Sequence, residues 1–249
     1  MRITFLGTGT SSGVPHINCD CETCLSSDPK DKRLRASVMV QEGHNNFLID
    51  CGPDFRQQIL AHKFRNIDGV ILTHEHFDHV GGLDDLRPFH DIHIYAEKRV
   101  CNIVRSNMPY CFDGKKYPGV PKLNLVEINE NPFCINDVKI IPIRFYHAEL
   151  PVLGYRIGNF AYLTDISRIE KSEIQKLEGV KVLVVDALRE RPHFSHFSLS
   201  EALAFIELLK PSKAYLTHIC HQMGKTADVQ PKLPKGVYLA YDGLEVNVE

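Results

Sequence analysis

The sequence lacks the features that would assign it to a membrane-bound or nucleic-acid-binding class. It has no apolar run of roughly 18 residues, the length from which a membrane-spanning helix is considered. Its formal net charge of -2 provides no overall positive field to attract nucleic acid or a lipid surface. The first residues, MRITFLGTGTSSG, turn to glycine too early for a signal peptide. We therefore expect a cytoplasmic protein without a membrane partner.

Disulfide bonds are a second expected absence, because the cytoplasm is a reducing compartment. The eight cysteines are then free thiols or metal ligands. Three of them cluster in CDCETC, at Cys19, Cys21 and Cys24. The scattered ones suit small buried apolar positions, and they are Cys51, Cys101, Cys111, Cys134 and Cys220.

Strand-like runs alternate with helix-like segments along the chain. Runs such as RITFLG, NFLID and KVLVVDA are rich in Val, Ile, Tyr and Phe and are bounded by Gly, Asp or Pro, which is typical of strands. In SLSEALAFIELLK, Ser198 and Glu201 form a capping box, the sequence signal of a helix start. Helices are predicted over 54–63, 97–107, 169–178 and 198–210.

The stretch 108–122, MPYCFDGKKYPGVPK, has the weakest structural signal. It is rich in Pro and Gly and is predicted to form one long surface loop. Strand signals resume directly after it, so it does not read as a linker. We predict a single α/β domain over residues 1–249.

Three apolar runs end in the same way. GVILTH, FAYLTD and KAYLTH each finish with Leu-Thr and then a His or an Asp, at His74, Asp165 and His218. NFLID ends similarly, at Asp50. The turn just beyond a buried strand holds a side chain both exposed and still. We predict that His74, Asp165 and His218 converge.

The segment THEHFDHVGG contains four metal-ligand side chains within six residues. In an extended turn, residues two apart point to the same side, so His74 and His76 can bind one ion. Asp78 and His79 can then reach a second ion. Without a metal, so many polar groups would each need another partner.

Cys19, Cys21 and Cys24 supply three thiolates in one short loop. A structural zinc takes four ligands in a tetrahedron, mostly Cys and His. The fourth is therefore expected from elsewhere in the chain. On the residues alone, His16, Cys220 and His221 are all candidates, and His221 is favoured because it lies one turn beyond His218 and can face another direction.

The motif HEHFDH resembles the His-x-His-x-Asp-His signature of the metallo-β-lactamase superfamily. That family also has a strand-ending Asp before the motif, and a single His, a bridging Asp and a final His after it. Asp50, His147, Asp165 and His218 match these positions in order. The resemblance covers essentially the whole chain. It implies an αββα sandwich, two mixed β-sheets flanked by helices.

The resemblance also implies two divalent cations, Zn²⁺ or Mn²⁺, bridged by Asp165. Asp50 would orient the histidine loop from behind the ligands. One ion would be held by His74, His76, His147 and Asp165, and the other by Asp78, His79, His218 and Asp165.

A narrower resemblance rests on GTGTSSGVPHINCDCETC and THICHQ together. These segments are similar to the PhnP-like branch, the phosphoribosyl 1,2-cyclic phosphate phosphodiesterases, in which three cysteines and a C-terminal histidine hold a structural zinc. The resemblance selects His221 as the fourth ligand beside Cys19, Cys21 and Cys24. It implies a small cyclic phosphodiester as substrate and is compatible with a homodimer.

Two divalent ions about 3.5–4 Å apart can share a water and lower its pKa toward neutrality, which makes a hydroxide nucleophile. The core stays net positive and suits a phosphodiester anion. His196 precedes the capped helix and could contact a phosphate oxygen or donate a proton. Related phosphodiesterases carry a histidine at this place. Asp78 and His196 are the predicted catalytic residues, and His193 receives no role.

Other activities fit the same core. A tRNA 3′-processing nuclease is disfavoured, because there is no long basic arm and the loop 108–122 contributes only Lys115 and Lys116. Hydrolysis of a thioester, lactone or β-lactam is a further alternative. A secreted β-lactamase is disfavoured because no signal peptide is expected, and a glyoxalase-like thioesterase would need neither the cysteine cluster nor His196. A metal-binding scaffold without activity is the non-enzymatic alternative.

Overall fold

Apolar runs of the chain form two seven-stranded sheets in the computed structural model, which describes residues 1–62, 64, 66–112 and 119–249. The strands are β1 (Arg2–Gly7), β2 (Ser37–Glu42), β3 (Asn45–Ile49), β4 (Gly69–Ile71), β5 (Ile92–Glu97), β6 (Leu123–Ile128), β7 (Phe133–Ile135), β8 (Val138–His147), β9 (Leu150–Ile157), β10 (Phe160–Leu163), β11 (Val182–Asp186), β12 (Lys213–Thr217), β13 (Val237–Leu239) and β14 (Glu245–Asn247). The first sheet has the order β14-β1-β2-β3-β4-β5-β6 and the second β13-β12-β11-β10-β9-β8-β7.

Both sheets are mixed. In the first sheet, β3 to β6 run parallel to one another, whereas β1 is antiparallel to its neighbours β2 and β14. In the second, β10 to β13 are parallel and β7 to β10 are antiparallel. Parallel strands need crossover connections, and the helices of the chain supply several of them. This arrangement confirms the predicted αββα sandwich.

The described residues form eight α-helical segments. They are α1 (Glu22–Leu25), α2 (Phe55–Leu60), α3 (Phe77–Val80), α4 (Lys98–Asn107), α5 (Pro109–Phe112), α6 (Lys171–Gln175), α7 (Leu199–Leu209) and α8 (Thr226–Val229). The predicted capping box is present in α7, where Ser198 Oγ accepts from the Glu201 amide and Glu201 accepts from the Ser198 amide. Within the described ranges, no helix has the length and apolar character needed to span a bilayer.

Apolar side chains fill three layers. Between the sheets lie residues such as Phe5, Phe47 and Tyr155, all fully buried. A second layer packs α6 and α7 on the outer face of the second sheet, and a third packs α2 and α4 on the first. Burying such a side chain contributes roughly 1.5–3 kcal/mol, so the sandwich provides a rigid frame for the loops at its edge.

Two local predictions need correction. The stretch 108–122 is not a loop throughout, because Pro109–Phe112 forms the helical turn α5; residues 113–118, with Lys115 and Lys116, lie outside the described residues. The histidine segment, residues 73–82, is extended only as far as His76, the N-cap of α3, so Asp78 and His79 lie on a helical turn.

The short edge strands β7 and β14 were not predicted, because three residues are too few to show a strand pattern.

The histidine segment is fastened to the chain that follows β3. The Cys51 amide donates to the His79 carbonyl at 2.8 Å, and the Gly82 amide donates to the Cys51 carbonyl at 2.9 Å. Only glycine permits this approach, because a Cβ on Gly52 would lie 2.1 Å from the Asp78 carbonyl oxygen. That contact with backbone cannot be relieved by a side-chain rotation.

We expect Gly52→Ala to displace the histidine segment and to lower the free energy of unfolding by about 1–3 kcal/mol, as overpacking does. Denaturant unfolding of the purified variant measures the loss. Gly43→Ala is the control, because a Cβ there meets open space and costs only the roughly 1–2 kcal/mol of a left-handed backbone. Gly52→Ala should lose bound metal, and Gly43→Ala should not. Unchanged stability and metal content in Gly52→Ala would contradict this account.

Candidate metal centre and active site

Polar side chains gather at one edge of the sandwich because parallel strands end there together. β3 is parallel to β4, and β10, β11 and β12 are parallel neighbours. β8 joins them, since it is antiparallel to β9, which is antiparallel to β10. The residues at or just beyond these strand ends are Asp50, His74, His147, Asp165, Asp186 and His218.

Three of these residues have left-handed backbone conformations. Asp50, Asp165 and His218 have φ values of 62°, 60° and 57°. Such conformations cost free energy in residues other than glycine, and they persist where the surrounding structure holds them. The chain therefore bends sharply after β3, β10 and β12, and each bend holds an Asp or His side chain against its neighbours.

The histidine segment places its side chains on two sides of the chain. His74 Nε2 lies 2.9 Å from His76 Nδ1. Glu75, between them, points away and pairs with Arg99 of α4. This alternation follows from extended backbone, and it separates the histidines of the centre from the ion pair that anchors the segment.

The side chain of His79 is well placed to bind a cation. Its Nδ1 donates to Asp50 Oδ2 at 2.7 Å, and its Nε2 faces the centre. That Nε2 lies 3.2 Å from both Asp78 Oδ2 and Asp165 Oδ2, yet forms no hydrogen bond to any described residue. Burial alone would lower the pKa of His79, but Asp78, Asp165 and Asp50 raise it well above its ordinary value, so this nitrogen faces either a proton or a metal ion.

His218 has the same surroundings. Its Nε2 lies 3.4 Å from Asp165 Oδ1 and 3.6 Å from Asp78 Oδ2, and neither ring nitrogen has a hydrogen-bond partner in the described part of the chain. Burial alone would lower the pKa of His218, but Asp165 and Asp78 raise it to about 9. The carboxylates thus bind a cation at this place, either a proton or a metal ion.

Both carboxylates are anionic. Burial by itself raises the pKa of Asp78 and of Asp165, but the adjacent imidazoles hold both pKa values below their ordinary range. Buried nitrogen and oxygen donors of this kind suit Zn, Mn or Fe. The residues present therefore fit a divalent metal site.

The predicted ligands come together, but their grouping differs in detail. Asp78, His79 and His218 form one compact group, as expected for the second ion, with Asp165 beside it. The first predicted set is looser: Asp165 groups with His74 and His79, and separately with His147 and His196. His76 belongs to no compact group of described residues, and its side chain is exposed at the mouth.

Asp50 lies behind the histidines. It is fully buried and accepts from His79 Nδ1, from the Thr73 amide at 2.9 Å and from Thr73 Oγ1. Thr73 Oγ1 also lies 2.9 Å from His74 Nδ1. One carboxylate thereby fixes the orientation of two imidazoles, the arrangement by which ligand geometry is usually held.

His147 and His196 lie side by side and form another wall of the site. His147 Nδ1 donates to the Ser195 carbonyl at 2.8 Å, which frees its Nε2. The ring of His196 lies 4.5 Å from that of His147, and its Nδ1 is 2.8 Å from Asp186 Oδ2. Burial lowers the pKa of His196 to about 4 and raises that of Asp186 well above its ordinary range. His196 and Asp186 therefore share one proton between Nδ1 and Oδ2, and this hydrogen bond fixes the orientation of the His196 ring.

Asp186 was missed by the sequence reasoning. Its signal was present, because KVLVVDA ends in Asp in the same way as FAYLTD. β11 lies between β10 and β12, so its end must fall between Asp165 and His218. The position of Asp186 beside the site follows from the order of the strands in the sheet, which cannot be read from the amino-acid sequence.

The cysteine cluster forms a second, separate group. The donor atoms of Cys19, Cys21, Cys24 and His221 all lie close together, and His221 Nδ1 is 3.3 Å from the sulfurs of Cys19 and Cys21. His221 lowers the pKa of the Cys21 thiol to about 6. Three sulfurs and one imidazole nitrogen match a closed zinc shell.

The other predicted alternatives for the fourth ligand lie outside this group. His16 stacks on His221 with ring centroids 5.3 Å apart, and its Nδ1 lies 2.8 Å from the Ile17 carbonyl oxygen. Cys220 is buried and is not among the four grouped residues. The Thr10 amide donates to the Ile219 carbonyl and the Ile219 amide donates to the Thr8 carbonyl, which brings the loop after β1 to the end of β12.

Comparison with known proteins gives a family match and several similar structures. Residues 45–219 match the family described as "Beta-lactamase superfamily domain". The crystal structure of a new diphosphatase from the PhnP family superposes with a TM-score of 0.92 and 38% identity, covering 99% of this chain and 97% of that one. Zn²⁺-bound PqqB from Methylobacterium extorquens has a TM-score of 0.79 and 20% identity, with both chains covered fully; it shares the fold.

A longer relative is an octanoyltransferase from Porphyromonas gingivalis. It is 40% identical over 255 residues, which cover 100% of this chain and 52% of the relative. The chain thus spans about half the length of that curated protein.

We expect the cysteine cluster to hold close to one zinc per chain through mild chelation, because its four donors close the shell. His221→Ala should release that zinc, measured by metal analysis after dialysis. His16→Ala is the matched control, since it removes the stacked neighbour and leaves the four donors. Loss of the zinc from His16→Ala, with retention in His221→Ala, would reassign the fourth ligand.

Proposed function

The chain belongs to the beta-lactamase superfamily, a fold that implies divalent metal binding, and we propose that it is a metal-dependent hydrolase of phosphoric diesters. Its substrate would be a small cyclic phosphodiester such as phosphoribosyl 1,2-cyclic phosphate. The observation that carries the proposal is the pair of imidazoles, His79 and His218, whose Nε2 atoms face two buried carboxylates without hydrogen bonds to described residues.

In this proposal Asp165 serves both metal positions. When bound, two divalent cations would lower the pKa of a water and neutralise charge on a phosphoryl group. The positive centre would attract a phosphate ester more strongly than an uncharged ester. One ion would be held by His74, His76, His147 and Asp165, the second by Asp78, His79, His218 and Asp165, and a structural zinc by Cys19, Cys21, Cys24 and His221.

His196 would contact the phosphate or the leaving oxygen. Its Nδ1 is engaged with Asp186, so its Nε2 is the nitrogen available to the substrate. Asp186 would position the ring and does not itself reach the reacting atoms. A histidine in this place can donate a proton to an alkoxide leaving group, which otherwise departs poorly.

Similarity supports the phosphate class. The diphosphatase of the PhnP family is 38% identical over nearly the full length of both chains. That protein is described as a diphosphatase, so diphosphate esters are a second substrate candidate. We propose a cytoplasmic homodimer that binds a small phosphodiester and neither a membrane nor nucleic acid.

The octanoyltransferase points to a different chemistry. That protein is about twice as long as the shared region, so acyl transfer carried by its other half would not come with this chain. Thioester hydrolysis on the metal core remains the alternative that the relative favours, and an octanoyl thioester tests it directly.

A substrate panel separates these activities. Protein loaded with Mn²⁺ or Zn²⁺ is given bis(p-nitrophenyl) phosphate, a cyclic ribose phosphate, a diphosphate ester, an octanoyl thioester and a precursor tRNA. We expect the cyclic ester to have the highest kcat/KM, and Asp165→Asn to lower it by about 10²-fold or more. Asp228→Asn, an exposed Asp of α8, is the control. Faster turnover of the thioester than of every phosphate ester would refute the proposal.

We expect His196→Ala to lower kcat by roughly 10²–10⁴-fold for esters with an alkoxide leaving group. The loss should be much smaller for p-nitrophenyl esters, because that leaving group needs no proton. Asp186→Asn should show the same dependence on leaving group with a smaller loss. Equal losses for both kinds of ester would mean that His196 only supports the structure.

A further inference from the structure

A row of rings leads from the metal centre to the surface. The rings of His147 and His196 are 4.5 Å apart, those of His196 and His193 are 5.3 Å apart, and those of His193 and Phe194 are 4.8 Å apart. Each ring contacts the next, so Phe194 lies at the outer end of a continuous aromatic wall. His193 and Phe194 have no part in the proposed chemistry.

Phe194 is 81% exposed although the loop that carries it is firmly held. Arg189 donates to the carbonyls of Arg191 and Pro192 and to Gln222 Oε1 at 2.7 Å. At the base of the loop, the Leu188 amide donates to the Phe197 carbonyl. The ring is therefore presented to solvent from a fixed position, which costs a ligand little ordering entropy.

His193 is oriented by its neighbour. The Ser195 amide donates to His193 Nδ1 at 3.4 Å, and Ser195 Oγ lies 3.1 Å from the same atom. Burial and the adjacent His196 lower the pKa of His193. The ring is then neutral, accepts at Nδ1 and carries its hydrogen on Nε2, where it can donate to a polar substituent of a ligand.

We propose that His193 and Phe194 form a stacking platform for a planar ring, which extends the proposed range of small cyclic phosphodiesters to those that carry a base. The proposal rests on the proposed function, because the phosphate must lie at the centre for its ring to reach the platform. A sugar phosphate without a base would use the centre alone. A nucleobase has an apolar face for Phe194 and polar edges for His193.

Phe77 provides the comparison. It is 70% exposed and lies between His76 and Asp78, but its ring lies over Gly81: a Cβ there would lie 2.8 Å from the ring. It packs on its own helical turn, away from the row of rings. Two exposed phenylalanines thus flank the centre, and only Phe194 continues that row.

The kinetic test compares two substrates that differ by a base, a 2′,3′-cyclic nucleoside monophosphate and a cyclic ribose phosphate. Phe194→Ala should lower kcat/KM for the nucleotide by about 5- to 100-fold and change that of the ribose ester by less than about twofold. Phe194→Tyr should keep the kcat/KM of the nucleotide close to that of the unsubstituted protein. Phe77→Ala should leave the ratio of the two kcat/KM values unchanged. Equal losses on both substrates in Phe194→Ala would overturn the platform.

A binding test does not depend on hydrolysis. The chain has no tryptophan, so Phe194→Trp introduces a single fluorophore at the platform. Adenosine 5′-monophosphate should quench its fluorescence saturably, whereas ribose 5-phosphate should not. Leu208→Trp, 62% exposed on α7, is the control and should not respond. Quenching without any phosphate-ester hydrolysis would support the platform and refute the proposed activity; no quenching in Phe194→Trp would refute the platform.

Discussion

Two buried carboxylates that need a positive charge govern the organisation of this protein. Asp78 and Asp165 lie in a site closed to bulk water, where an uncompensated negative charge is costly. The Nε2 atoms of His79 and His218 lie beside them without hydrogen bonds to described residues. A cation resolves the conflict, and the sandwich keeps the groups from moving apart. The centre is thus stabilised by its ligand and by the packing behind it.

The supporting structure follows from that constraint. Asp50 and Thr73 hold the imidazoles from behind, and Gly52 lets the histidine segment approach the end of β3. Tyr155, from the second sheet, donates to the Leu72 carbonyl at 2.6 Å and ties the two sheets together beside the centre. Because the ligands come from both sheets, a slip of one sheet against the other would separate them.

Much of the centre could be predicted from the sequence. THEHFDH is dense in ligands, and the repeated strand endings located Asp165 and His218 before any fold was known. Asp186 was not predicted, although KVLVVDA carries the same ending, because its role depends on β11 lying between β10 and β12. The helical turn at Pro109–Phe112 was also missed, since proline and glycine nearby dominate the local pattern. Short edge strands carry too few residues to show a period.

By itself, the sequence determined the residue chemistry: which side chains can ligate, where strands end, and that one helix begins at Ser198 with a capping box. These depend on neighbours a few positions apart, which the order of residues records. The residues left His16, Cys220 and His221 as candidates for the fourth cysteine partner, and the tertiary structure places His221 there while His218, three residues earlier, faces the carboxylates. It also decided that His193 and Phe194 extend the wall of the site. Such directions depend on strand order and backbone kinks, which long-range packing sets.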